Sequence, residues 1–309
     1  MEYTGIQSQI RKNNLNSILL LVAFPLLLLA MVYAFLFFSR GSSTYNTNQV
    51  FITTIPYVIT GTAVWFLIAW LMQSSLIRLA TGSKPLERSE NKRVYNLLEN
   101  LCISNGMKMP KINLIEDDSL NAFASGLNDS NYTISLSRGI IEKLNDEELE
   151  GVIAHELSHI RHRDVRLLII SIIFVGIFSF IAEMAFRSLR FTGGNRKGSG
   201  NSQGLIILVA VAVSAVCYLI SVLMRFGISR SREFMADAGS ANMTHKPYAL
   251  ASALRKISEN PAIEAVESRD VAQLFIDNPT PSAHGFSWDN LFATHPPIQK
   301  RIELLEHFV

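Results

Sequence analysis

The stretch AHELSHIRHRDVRLLIISIIFVGIF, residues 154–178, decides how the chain is read. Its first half is dense in His, Glu, Arg and Asp, and an uninterrupted apolar run begins at Leu167, eight residues after His159. Within it, HELSH (155–159) places two histidines four residues apart. On an α-helix these differ by roughly 40° of rotation, so both imidazoles leave one face and can share a metal ion. Glu156, roughly 100° further round, stands beside that ion rather than on it. A metalloprotease uses this arrangement: two imidazoles hold zinc and the carboxylate serves as general base. The bland reading is a surface helix with two solvated histidines. A third ligand decides between them, because a catalytic zinc takes three protein ligands and keeps one position open.

The HExxHxxGxxH route to that ligand is closed, since His162 stands where Gly is required and Val165 where the third His is required. His162 reads as a helix-surface residue. Asp164 is too close along the same helix to complete a tetrahedron. That helix is expected to start at LNDEELEG (144–151), with Asn145 as cap and Glu148 at the capping-box position, and to run unbroken into the hydrophobic segment. A better candidate lies beyond the next hydrophobic segment, in SRSREFMADAGS (229–240). If the two segments form an antiparallel hairpin, His159, eight positions before Leu167, and Glu233, eight after Arg225, stand at one height. Both are then roughly 12 Å below the hydrophobic boundary. Asp237, one turn further, can accept the free N–H of a ligating imidazole. The plain alternative is a charged surface turn.

With 49% hydrophobic and only 17% charged residues among 309, the chain is too apolar for an ordinary soluble protein. Two spanning helices are expected at the N-terminus, near 16–38 and 50–72, forming a hairpin within residues 1–77. Residues 78–309 then form a second domain, interrupted by another hydrophobic hairpin near 167–186 and 205–224. Arg11 and Lys12 before the first helix, and Arg78, Lys84 and Arg88 after the second, put both ends of the first hairpin in the cytoplasm. The second hairpin is basic at its base and also at its tip, where Arg187, Arg190, Arg196 and Lys197 lie. Either the charge rule is overridden there or that hairpin penetrates without fully spanning.

In the polar remainder KINLIED (111–117), NAFASG (121–126) and NYTISLS (131–137) read as short strands, while KPYALASALRKIS (246–258) and PPIQKRIELLEHF (296–308) read as helices. The expected fold is therefore a mainly α membrane protein of about four transmembrane helices, with a cytoplasmic α+β zincin-like domain containing a small sheet. A net charge of +2 and the lack of a Lys/Arg block with interleaved aromatics exclude nucleic acid as a partner. Cys102 and Cys217 have no plausible disulfide or zinc partner.

HELSHIRHRD (155–164), a hydrophobic pair, SRSREFMADAGS (229–240), NAFASG (121–126) and THPPIQKR (294–301) together resemble the HtpX family of bacterial membrane zinc metallopeptidases. The resemblance covers nearly the whole chain. It implies a multi-pass endopeptidase of the bacterial inner membrane, with its active site facing the cytoplasm, that acts on misfolded or damaged membrane proteins in quality control. By the same resemblance His155, His159 and Glu233 hold one Zn2+ per chain, Glu156 is the general base and Asp237 supports the ligands. Asn121, Ala122, Phe123 and Ala124 resemble the family's strand near the substrate cleft, where an exposed edge could bind an extended peptide by strand addition. An ordinary core strand is the alternative. His295 and Arg301 resemble a C-terminal His and Arg near the zinc, suited to stabilising the charge that builds on a carbonyl oxygen, with His295 alternatively a gating ligand. Two rival functions share parts of the pattern. One is a CAAX-type prenyl-protein endopeptidase, whose usual seven or so spanning helices exceed the four that hydropathy supports here. The other is a non-catalytic, zinc-stabilised membrane scaffold or chaperone, disfavoured by three obvious ligands and an intact Glu156 where a closed site would need four ligands. Membrane proteins and the lipid bilayer are the implied partners; no oligomeric partner can be assigned.

Overall fold

The structure is a computed structural model that describes residues 6–39, 44–192, 211–212, 215, 230–259, 275–276 and 296–307. In chain order the described elements begin with helices α1 (Ile6–Ser39) and α2 (Thr44–Thr81), strand β1 (Lys84–Pro85) and α3 (Lys92–Ser104). Strands β2 (Lys111–Ile115), β3 (Ala122–Ser125) and β4 (Thr133–Ser137) follow, then α4 (Arg138–Lys143), α5 (Asp146–His162) and α6 (Asp164–Thr192). The remaining helices are α7 (Arg230–Thr244), α8 (Pro247–Ile257) and α9 (Ile298–Glu306). The three strands and the helices read from sequence around residues 246–258 and 296–308 are present, and the fold is mostly helical with a small sheet.

Among the described residues, two helical stretches are long and apolar enough to cross a membrane, Ile10–Phe37 and Thr47–Thr81. Each runs through an internal proline, Pro25 and Pro56, which membrane helices tolerate. Leu15, Leu19, Leu26, Tyr57, Leu67 and Leu71 all point outward and exposed, a pattern costly in water and neutral against lipid. The first leg of the second hydrophobic pair lies within α6; most of the second leg, 205–224, lies outside the described residues.

The chain divides into two compact units. One comprises Leu15–Leu71 and Ile170–Arg225. In it Phe174 stacks on Phe24 with ring centroids 4.5 Å apart, and on Phe66 at 5.6 Å, so aromatic packing joins three helices.

The other unit comprises Met1–Asn14, Met72–Ile169 and Phe226–Val309 and carries the HELSH helix. Its sheet has the order β1-β2-β4-β3, with β2 parallel to β4 and β3 antiparallel to β4 at the edge. Asn145 caps α5 through its side chain, and the Glu148 carboxylate returns to the Asn145 N–H at 2.9 Å, completing a capping box. Lys256 and Ser252 of α8 also donate to that carboxylate, each at 2.7 Å, so the start of α5 is fastened to α8. Two glycines let helices approach α5 closely. A Cβ on Gly239 of α7 would lie 2.0 Å from Ser158 Oγ, and one on Gly151 would lie 3.2 Å from the backbone of Leu250 in α8. Ser240 Oγ donates to the Gly151 carbonyl at 2.7 Å, fixing α7 along α5.

Two local expectations are corrected. His162 is not at the helix surface: it is buried at the end of α5, its Nδ1 3.2 Å from Ser158 Oγ. The helix does not run unbroken from HELSH into the apolar run: α5 ends at His162, Arg163 takes left-handed angles (φ 61, ψ 24), and α6 restarts at Asp164. Left-handed geometry is the common way to end a helix, though a side chain other than Gly or Asn pays about 1 kcal/mol or more for it. The break is supported by Asn13 and Asn14 of α1, which meet the His162 carbonyl at 2.8 Å and Arg163 Nη1 at 3.3 Å.

Candidate active site

Helix α5 presents His155 and His159 on one face, with their Nε2 atoms 3.2 Å apart. Helix α7 brings Glu233 to the same point. Its Oε2 lies 3.7 Å from His155 Nε2 and its Oε1 lies 3.6 Å from His159 Nε2. The three groups offer ligand atoms that all lie within 4.8 Å of one another. A tetrahedral zinc with bonds near 2.0–2.1 Å separates its ligands by about 3.3–3.5 Å, so the donor set fits that ion in type and spacing.

Each of the opposite ring nitrogens faces a carboxylate. His155 Nδ1 lies 3.0 Å from Asp237 Oδ1, and His159 Nδ1 lies 3.2 Å from Asp164 Oδ2. An Nδ1–H donated to a carboxylate leaves the Nε2 lone pair facing the ion and sets the ring's orientation. Asp164 reaches His159 because the chain breaks at Arg163; on a continuous helix it would point elsewhere. Its role was missed in the sequence, where no Gly or Pro marks the break.

Arg301 of α9 is 1% exposed and lies behind the ligands. Its Nε and Nη2 donate to the two Asp237 oxygens at 2.9 and 2.7 Å, a bidentate fork. Its Nη1 lies 3.4 Å from Glu233 Oε2 and donates to the Ile276 carbonyl at 3.0 Å. The guanidinium thus braces the acid beside His155 and touches Glu233 as well. His295 lies outside the described residues.

The electrostatics favour a cation. Among the described residues, four buried carboxylates, Glu156, Asp164, Glu233 and Asp237, share the site with two buried guanidiniums, Arg232 and Arg301. The carboxylates outnumber the guanidiniums, an excess of acidic groups that suits a bound cation. Burial acts to lower the pKa of His159, but the hydrogen bond to Asp164 and the charges of Glu233 and Glu156 overrule it and push it up to about 9. Burial pushes His155 down, with Asp237 opposing. Asp237 itself is held below the usual carboxylate range, because Arg301 and His155 outweigh the effect of burial.

Glu156 is 2% exposed. Burial, reinforced by the Glu233 charge, raises its pKa to about 7 against His159, the Ala124 N–H and Arg301. A carboxylate with that affinity for protons can both take one and give it back near neutral pH.

Ala124, whose backbone N–H acts to lower the pKa of Glu156, belongs to β3. The structure places that strand at the sheet edge beside Glu156, but the edge is not exposed. Asn121, Ala122, Phe123 and Ala124 are all buried, Ile276 N–H donates to the Ala122 carbonyl at 2.9 Å, and Phe123 bridges Phe275 in antiparallel fashion. The physical reason is pairing within the chain: residues 275–276 cover backbone groups that would otherwise be left unmatched.

A helix with two histidines and an adjacent glutamate, completed by a glutamate from a second helix, matches a known group of enzymes. Peptidase family M48 matches residues 88–309. The chain belongs to that family. Its relatives include proteins named Protease HtpX homolog, one from Bacteroides fragilis that is 57% identical over the whole of both chains. Another, from Lactobacillus acidophilus, is 33% identical over 98% of this chain and 99% of its own. The chain is thus an HtpX-family membrane metallopeptidase. Among solved structures, S. mikatae Ste24p aligns with a TM-score of 0.49 at 18% identity, covering 89% of this chain and 61% of that one.

Proposed function

We propose that this chain is a zinc-dependent, multi-pass endopeptidase of a bacterial inner membrane, with its active site on the cytoplasmic side, that hydrolyses peptide bonds in misfolded or damaged membrane proteins. The convergence of His155, His159 and Glu233 beside a buried Glu156 carries the reading of one zinc per chain. Zinc in such a site supplies a Lewis acid that acidifies water and polarises a peptide carbonyl. Glu156 takes the proton of the attacking water and returns it to the leaving amine. Asp237 and Asp164 keep the two imidazoles turned toward the ion, and Arg301 fixes Asp237. The burial of these groups excludes bulk water and strengthens each of their interactions. The cytoplasmic placement rests on the Arg and Lys residues flanking the first hairpin, and the substrate class on the membrane segments carried by the same chain.

Purified wild type and Glu156→Gln, incubated in detergent with an unfolded membrane protein and with or without chelator, test the reading. Wild type should cleave only without chelator, and Glu156→Gln should keep one zinc per chain yet lose cleavage. Cleavage by the Gln variant would remove Glu156 from the mechanism. Reporter fusions after Arg190 and after Ala238 test the topology: a cytoplasmic signal at both positions would mean that the second hairpin does not span.

A further inference from the structure

Asn13 stands near the start of α1, 149 residues before His162, yet it is 2% exposed and reaches the break between α5 and α6. Its Nδ2 donates to the His162 carbonyl at 2.8 Å and to Asp164 Oδ1. The amide carries two hydrogens, so one group can serve both acceptors. Each acceptor needs it. His162 supplies one of the last carbonyls of α5, which has no partner within its own helix. Asp164 is 3% exposed, and its other oxygen is 3.2 Å from His159 Nδ1. With Oδ1 held by Asn13 and Oδ2 by His159, the carboxylate plane is set from both sides. The next residue, Asn14, meets the same break from its solvent side, where Arg163 Nη1 donates to Asn14 Oδ1 at 3.3 Å.

We propose that Asn13 is a positioning residue for the metal centre: it orients Asp164, which orients His159. The family match starts at residue 88, whereas the support of the second histidine starts at residue 13. The peptidase site is therefore completed by the head of the first hydrophobic helix, and the matched region alone lacks part of it. The inference rests on the zinc reading above, and it concerns ligand orientation rather than the protease step.

The test uses the full chain in detergent and compares wild type, Asn13→Leu, Asp164→Asn, the double variant, and Asn14→Leu as a control from the same turn. Zinc affinity is read by competition with a chromophoric chelator, and site geometry by the visible absorption of the cobalt(II)-substituted protein. Removing an outer-shell partner typically costs 10- to 100-fold in metal affinity. Asn13→Leu should weaken zinc roughly 10-fold, at the low end of that range because it acts one step further out. It should alter the cobalt spectrum in the same direction as Asp164→Asn, and the double variant should bind no more weakly than Asp164→Asn alone. Asn14→Leu should bind as wild type does. Unchanged affinity in Asn13→Leu, or penalties that multiply in the double variant, would overturn the proposal. If Asn13→Leu does not fold, Asn13→Ser, which leaves room for a water, must show the same non-additivity or the proposal fails. Wild type that takes up no zinc would instead sink the zinc reading itself.

Discussion

Asp164 Oδ2 lies 3.2 Å from His159 Nδ1, and Asp237 does the same for His155 at 3.0 Å from the opposite helix. The two imidazoles are thus oriented by carboxylates from different elements, one beginning α6 and one on α7. Separate supports imply separable effects. Asp164→Asn and Asp237→Asn should each weaken zinc affinity roughly 10- to 100-fold, as measured by chelator competition. Asp237→Asn should be the more damaging, because it also leaves the buried Arg301 without its charged partner.

In the zinc reading the third ligand is Glu233, supplied by a distant stretch of chain, so its removal tests whether three groups share one ion. Glu233→Ala should lose zinc and proteolysis together, whereas Glu156→Gln should lose only proteolysis, by roughly 100-fold or more. Metal analysis of both purified variants separates the roles. Undiminished zinc in Glu233→Ala would move the third ligand elsewhere.

How much of this could be read from sequence varied with the kind of interaction. The histidine pair and Glu156 follow from helical spacing alone, and the Asn145–Glu148 box formed as its residue types require. Glu233 was reached by counting residues from two hydrophobic boundaries on the premise of one unbroken helix. The structure breaks that helix at Arg163, so the juxtaposition stands although part of the reasoning does not. Arg163 occupies a left-handed position without being Gly or Asn, so nothing in its type announces the turn. Asp164 could not be linked to His159 without the turn, nor Asn13 to Asp164 across 151 residues. The covering of β3 by Phe275 and Ile276 is equally non-local, and no periodicity encodes it.

Gly239 offers a test of how α7 is held against α5. A methyl group there meets Ser158 Oγ at 2.0 Å and Ser158 Cβ at 2.8 Å, which side-chain rotation alone cannot relieve. Gly239→Ala should destabilise the protein by roughly 1–3 kcal/mol through overpacking and should weaken zinc by shifting α7, which carries Glu233. Ser158→Gly in the same chain should restore much of the loss, measured as thermal stability in detergent and zinc content. No rescue would mean that a different contact sets the helix separation.

Glu148 links stability to pH. Its side chain is 5% exposed; burial acts to raise its pKa, but hydrogen bonds from Lys256 and Ser252 and from the Asn145 backbone outweigh it and lower it. The unfolded value is about 4.3. A group whose folded pKa is the lower one stabilises the fold fully above the unfolded value, and that contribution is lost as pH falls through the folded value. Glu148→Gln keeps the shape but removes the charge that receives Lys256, at a cost of roughly 1–2 kcal/mol near neutral pH. The stability gap between wild type and Glu148→Gln should stay constant from about pH 7 down to about pH 5, then narrow as pH drops below about 4.3. Thermal unfolding of the two proteins across that range reads the gap, and a gap that widens in acid would show that the folded pKa is raised instead.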